Sequence, residues 1–405
     1  MVQLSLTLLP TILLALQVAA GPVLVEDNII SLPISRRFNF TGSANVVQKD
    51  LERIKQVKAA GKKGARAVIS EPVDNQVVSY IASVGVGSPA TTYSLIVDTG
   101  SSNTWVGANK KYVATSTSTK TSSSVSVSYG SGSFSGTEYT DTVTLAAGLV
   151  IPKQSIGVAS RSSGFSGVDG ILGIGPVGLT QGTLSNSAAT VPTVTDNLFS
   201  QGTITNNVIG ISFEPTTSED DNNGSIAFGG TDSSKFTGSI GYTSVTSTSP
   251  AREYWGINQS VTYGSTSILS STAGIVDTGT TLIYLATNAF TKYKSATGAV
   301  ADSATGLLRI TSAQFSSLQN LNFVIGGVTY ALTPNAQIWP RSLNTAIGGS
   351  ASSIYLVVAD FGSNSGQGLD FINGYAFLER FYSVYDTANK RVGFATTPFT
   401  TATTN

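Results

Sequence analysis

The sequence predicts an all-β chain with few short helices, folded as two similar lobes. Four observations carry that prediction. The chain has 405 residues, 40% of them hydrophobic, so it can bury a large core and divide it between two domains. It is rich in Gly, Ser and Thr, only 11% charged, and shows no helical heptads. Runs such as Ser124–Tyr129 and Thr140–Leu145 alternate in the two-residue rhythm of half-buried strands. Finally, the pentapeptide Ile-Val-Asp-Thr-Gly occurs twice, at Ile96–Gly100 and Ile275–Gly279, and continues into Ser101-Ser102 and Thr280-Thr281. An apolar strand that ends in a carboxylate and then turns on glycine aims an acid at solvent. Two copies, one in each half, predict two carboxylates that face each other.

In chain order, the first element is a leader. Leu4 to Leu16 is apolar but interrupted by Pro10, and Val18-Ala19-Ala20-Gly21 offers small residues for cleavage. Residues 1–20 therefore read as a secretory signal, too short and broken to span a membrane, and no later segment qualifies as a span. The next stretch is basic. Between Gly21 and Arg66 there are nine Lys and Arg against four Asp and Glu, which leaves 14 basic and 19 acidic residues in the remainder, a net charge of −5. A basic leader on an acidic body predicts an electrostatically docked propeptide over residues 21–66, with an amphipathic helix around Asn45–Ala60. Maturation is expected near Arg66–Ala67.

Beyond it, Val77–Val86 reads as a strand and Gly85–Pro89 as a turn. Strands then alternate with Gly/Ser loops to the C-terminus. Glu214–Gly224 reads as an acidic exposed loop. Short helices are expected at Thr193–Ser200, Thr287–Thr297 and Thr311–Gln319, each with hydroxyl or Asp caps nearby. Phe371–Phe381 suits either a strand or a short helical turn. The repeat divides the body into lobes over 67–240 and 241–405, meeting near Phe236–Tyr242.

Two absences limit the chemistry. With no cysteine there is no thiol catalysis, disulfide or Cys-ligated zinc, and with no histidine there is no Ser-His-Asp triad or His-bound metal. Acid–base chemistry in this chain falls to carboxylates. No metal or organic cofactor is implied.

The stretch Val97-Asp98-Thr99-Gly100-Ser101-Ser102-Asn103-Thr104-Trp105 resembles the first active-site motif of pepsin-family aspartic peptidases, fungal members above all. Val276-Asp277-Thr278-Gly279-Thr280-Thr281 resembles the second, at the separation of bilobal members. Tyr129-Gly130-Ser131-Gly132-Ser133-Phe134-Ser135-Gly136 resembles the flap hairpin, and Asp169-Gly170-Ile171-Leu172-Gly173 the apolar-apolar-Gly segment behind the first aspartate. The likeness runs from about Val77 to Ala395. It implies a bilobal pepsin-like fold, two similar β-barrel lobes with a cleft between them, and a secreted, acid-active endopeptidase in which Asp98 and Asp277 jointly activate a water. Thr99 and Thr278 would bond across the lobe interface, while Ser101 and Thr280 would bond the outer carboxylate oxygens. Gly100 and Gly279 would let substrate backbone approach. Tyr129, flanked by Gly130, Ser131 and Gly132, would gate the cleft and bond the Trp105 indole. Lys62 or Lys63 would contact the dyad in the zymogen. Ser131 stands where some fungal relatives carry a lysine-accepting aspartate, so the resemblance implies a preference for apolar or aromatic residues at the scissile bond. Polypeptides are the expected substrates and pepstatin-like inhibitors the expected ligands of a monomer with no nucleic-acid or membrane partner.

One departure stands out. Behind the second aspartate the usual apolar-apolar-Gly reads Phe371-Ile372-Asn373-Gly374, which changes hydrogen bonding in the second lobe's core. Asn223-Gly224-Ser225 and Asn258-Gln259-Ser260 are glycosylation sequons, and Asn39-Phe40-Thr41 is a third within the leader. Trp255 and Trp339 read as core or cleft-wall residues. A glycosidase would also use two carboxylates but needs no twin hydroxyl-flanked turns. The rival of another class is a catalytically silent pepsin-fold binding or inhibitor protein. Such a protein typically loses an aspartate or the gate tyrosine, and here all three are kept.

Overall fold

The computed structural model describes residues 29–38, 46–60, 78–129, 132–185 and 190–405. The signal segment, the Asn39 sequon, Lys62, Lys63, the Arg66–Ala67 junction, Gly130 and Ser131 lie outside the described residues.

The leader contributes strand β1 (Ile30–Phe38) and helix α1 (Val46–Ala60). The body follows with β2 (Val78–Val86), β3 (Thr91–Asp98), β4 (Trp105–Val106), β5 (Thr119–Tyr129), β6 (Gly132–Ala146), β7 (Leu149–Ser163) and β8 (Gly170–Gly173). Then come β9 (Val208–Phe213), β10 (Asp221–Phe228), β11 (Thr237–Ser244), β12 (Gly256–Tyr263) and β13 (Thr266–Val276). The class is all-β, as predicted.

A 13-stranded sheet runs from β11 through the C-terminal strands Arg391–Thr396 and Phe381–Asp386 to β9, β10, β1, β2, β3, β8, β4, β7, β6 and β5. A seven-stranded sheet holds β12 and β13, and a three-stranded sheet completes the second half. The larger sheet therefore draws strands from both halves of the chain. Position 240/241 falls inside β11, which pairs with Arg391–Thr396, so the sheet continues across that boundary. Strand β1 sits between β10 and β2, with ladder bonds on both edges. Part of the leader is thus built into the body.

The helices Val194–Ser200 and Ser312–Ser316 form where expected. Each starts with a capping box, Thr193 with Asp196 and Thr311 with Gln314. Thr287–Thr297 ends on Gly298 in the left-handed conformation (φ 66°), which glycine adopts without strain. Phe371–Phe381 resolves into strand Phe371–Asn373, helix Tyr375–Leu378 and the start of Phe381–Asp386. The Glu214–Gly224 expectation needs correction, because β10 begins at Asp221 and pairs with β1 and β9. There the backbone partners of two neighbouring strands outweigh the polar composition. Asn223 is consequently buried and donates its amide to the Glu214 carbonyl at 2.5 Å, so that sequon is closed in the fold. Asn258 is exposed on β12. Trp255 and Trp339 are both buried.

Asn373 finds its partner on β12. Its amide donates to Gln259 Oε1 at 2.8 Å and its oxygen accepts from Gln259 Nε2 at 3.2 Å. Both side chains are buried, so the pair satisfies four polar groups at once. Asn373→Leu alone orphans Gln259 and should lower stability by about 1–3 kcal/mol. Asn373→Leu with Gln259→Val should recover most of that loss. A double-mutant cycle in urea reads the coupling directly, and additive single effects would contradict the pairing.

Candidate active site

The two pentapeptides fold alike. Strand β3 carries Asp98 at its end and pairs in parallel with β8, setting Asp98 beside Gly173. Strand β13 leads into Asp277 and pairs in parallel with Phe371–Asn373, and the Asp277 N–H donates to the Asn373 carbonyl at 3.1 Å. Each aspartate then takes the same two bonds. Asp98 accepts from Gly100 N at 2.9 Å and Ser101 Oγ at 2.5 Å, and Asp277 from Gly279 N at 3.0 Å and Thr280 Oγ1 at 2.5 Å.

The threonines tie the two turns together. Thr99 N donates to Thr278 Oγ1 and Thr278 N to Thr99 Oγ1, both at 3.0 Å. Their hydroxyls donate onward to the Val276 and Val97 carbonyls. This reciprocal buried set fixes the separation of the aspartates. The glycines are required by proximity, since a Cβ on Gly100 would stand 2.6 Å from Asp277 Oδ1 and one on Gly279 2.7 Å from Asp98 Oδ1.

A third residue joins the aspartates. Arg53 of α1 donates from Nη2 to Asp98 Oδ1 at 2.5 Å and to Asp277 Oδ1 at 2.9 Å, and from Nε to Asp277 Oδ2 at 2.7 Å. One nitrogen thus touches both carboxylates, so the two acids converge on a single point. The cation found at the dyad belongs to Arg53. It rides on a helix anchored along its length. Asp50 accepts the N–H groups of Thr281 and Leu282 at 3.0–3.2 Å, Tyr254 donates to the Val57 carbonyl at 3.2 Å, and Lys58 donates to Ser363 Oγ at 3.0 Å. Further back, buried Arg36 on β1 bonds the Thr216 carbonyl at 3.0 Å and lies 3.7 Å from Glu379.

The sequence does hold a signal for Arg53. Along α1 the buried positions are Val46, Lys49, Asp50, Arg53, Ile54 and Val57, one stripe of an amphipathic helix. Charged residues on the buried stripe must meet charge or hydrogen bonds on the surface they cover.

Burial raises the proton affinity of both aspartates, and the balance then differs between them. At Asp98, burial together with the Asp277 charge outweighs Arg53, leaving its pKa above the ordinary value. At Asp277, Arg53, Thr280 and the Gly279 N–H outweigh burial and hold it below. Of the two carboxyls, Asp98 therefore has the higher proton affinity.

Above the dyad, Tyr129 ends β5 opposite Gly132, which opens β6. Its ring lies 6.3 Å from that of Trp105, which stacks on Phe134 at 4.2 Å. Burial, together with the nearby Asp98 charge, holds the Tyr129 hydroxyl well above its ordinary pKa, and neither it nor the Trp105 indole N–H completes a hydrogen bond. The bond expected of the gate is therefore not closed in this form.

The family model for eukaryotic aspartyl proteases matches residues 79–397. The chain belongs to the eukaryotic aspartyl protease family. It is 73% identical to polyporopepsin of Irpex lacteus over 338 residues, 83% of this chain and 99% of that one. It is 30% identical to pepsin A of Sus scrofa, over 92% of this chain and 97% of the other. The crystal structure of aspartic proteinase from Irpex lacteus superposes with a TM-score of 0.81 at 65% identity, covering 93% of this chain and all of that one. As a eukaryotic aspartyl protease the chain is an aspartic endopeptidase, a hydrolase of peptide bonds. Among the described residues, no helix is long and apolar enough to cross a membrane, and no His, Cys, Asp and Glu cluster suits a metal.

Proposed function

We propose that the chain is a secreted zymogen of an acid endopeptidase in which Asp98 and Asp277 activate a water between them. The observation that supports this is the single Arg53 nitrogen within 2.9 Å of both carboxylates, because it stands where a shared water would. Two full charges ~3 Å apart at an effective dielectric of about 20 repel by roughly 5 kcal/mol, so one proton is retained over a wide acidic range. Aspartic proteases are themselves the worked case behind that rule.

Once α1 has left, the ionised partner takes a proton from the water, and the resulting hydroxide attacks the peptide carbonyl. The protonated partner gives its proton to the developing oxyanion. Collapse of the tetrahedral intermediate returns a proton to the departing amine. Ser101 and Thr280 keep the outer oxygens hydrogen-bonded throughout, favouring charge on that side. Thr99 and Thr278 hold the geometry, and Tyr129 closes over the substrate. Tyr129 is packed in a buried apolar cluster with Phe165, Val168 and Ile171, and these apolar surroundings of the gate support a preference for apolar or aromatic side chains at the cleaved bond.

The protein brought to about pH 3–4, where a carboxylate pair holds one proton, should cleave denatured haemoglobin, and pepstatin should block that cleavage. A silent binding protein of this fold would bind pepstatin and cleave nothing, and cleavage indifferent to pepstatin would also refute the dyad.

A further inference from the structure

Glu138 is a buried acid that the peptidase chemistry does not use. It lies on β6, the returning strand of the hairpin whose other strand ends in Tyr129, and only 2% of it is exposed. Oxygen Oε1 accepts from Ser155 Oγ at 2.6 Å, while Oε2 is buried with no hydrogen-bond partner. The residue opposite Glu138 on β7 is Gly157, where a Cβ would press on Phe134 and Trp105. Glu138 thus backs the aromatic wall that carries the gate. Close by, Tyr129 Oη, Trp105 Nε1 and Thr104 Oγ1 are also buried without partners.

The charged groups around it give no counter-charge. Lys120 on β5 and Lys153 and Arg161 on β7 are all exposed. On β6 itself, Asp141 is committed to Tyr112, Thr117 and Ser118. The ionisable side chain within its field is the Tyr129 phenol, itself an acid. An ionised carboxylate here has one hydroxyl donor and a bare oxygen in a dry wall, whereas a protonated one has no charge to desolvate and forgoes only one hydrogen bond.

We propose that Glu138 is a positioning residue and a pH-sensitive lock: while neutral it holds β6 and β7 closed behind the Trp105–Tyr129 wall, and its ionisation loosens that wall and confines the competent form to acid. Burial pushes its carboxyl up from an ordinary 4.5 to about 7, against the opposing pull of Ser155. The folded state therefore binds this proton more tightly than the unfolded chain does. The stabilisation is complete below pH 4.5 and is lost as pH rises to about 7.

The test compares the urea stability of the full chain and Glu138→Gln between pH 4.5 and 7.5. Glutamine cannot ionise, so wild type should lose on the order of a hundredfold in folded-to-unfolded ratio relative to the variant across that window. The pH limit of the competent form, read as pepstatin binding after acid processing, should move up in the variant. Parallel stability curves would overturn the proposal. Should Glu138→Gln not fold, the infrared carbonyl band of a buried protonated carboxyl in wild type decides. Its titration near pH 7 supports the lock, and its absence at pH 5 refutes it. Only the pepstatin arm rests on the peptidase reading, so failure of that reading leaves the stability comparison intact.

Discussion

Asp277→Asn, processed in trans by an added protease, should retain its fold and lose kcat by about four orders of magnitude. The carboxamide keeps the shape of the carboxylate, and its single oxygen can still accept from the Gly279 N–H while its NH2 turns to the Thr280 hydroxyl, but it can neither take a proton from water nor share one. General acid–base catalysis alone is worth about 10²–10⁴-fold, and here the same pair also stabilises the oxyanion. Asp98→Asn should fall as far, since the roles belong to the pair, whereas KM should move little. Single-turnover cleavage of a peptide with apolar residues at the bond measures the loss. A variant that retained a tenth of wild-type turnover would remove that residue from the chemistry.

Arg53→Met in the intact zymogen should break latency. It leaves both dyad carboxyls buried under α1 without a cation, and breaking a buried pair in this way costs about 3–5 kcal/mol. The docked leader should weaken by roughly 10²–10³-fold. Binding of pepstatin to the uncleaved chain at about pH 6 reads this directly. Wild type should exclude the inhibitor and Arg53→Met should admit it. Arg53→Lys should fall between, because a point charge cannot bridge both carboxylates as the planar fork does.

The pH dependence of latency follows from groups of opposite sign, Asp277 on one side and Asp50, with Asp98, on the other. Asp277 is held below its ordinary value while docked, so its contribution to docking is present at neutral pH and lost as pH falls through that depressed value. Asp50 runs the other way. Burial lifts it from 3.8 to about 6, so the docked helix binds that proton more tightly than a free one would. Its contribution therefore grows as pH falls from about 6 toward 4. Mild acid does not release the leader through Asp50, and release waits for the dyad to be protonated away from Arg53.

Much of this was legible in the sequence because the motifs are local. The two Asp-Thr-Gly turns, their hydroxyl neighbours and Tyr129 each depend on a few adjacent residues, and the structure gathers the described ones around the two aspartates. What stayed hidden depends on long-range pairing. β1 joining β10 and β2, the C-terminal strands entering the first sheet, and Gln259 answering Asn373 from 114 residues away leave no local mark. Asn223 likewise reads as an open sequon until β10 buries it. Arg53 is the intermediate case. The amphipathic helix that carries it was readable, but only the structure puts Arg53 on the buried stripe and shows the two carboxylates that await it.

The most direct test of the shared-proton account is kcat/KM against pH for the processed wild-type protein on one defined peptide. Two carboxylates holding one proton predict a bell within the acidic range, with both limbs lost together in Asp98→Asn and in Asp277→Asn. A single ionisation, or a rate still rising through pH 7, would contradict it.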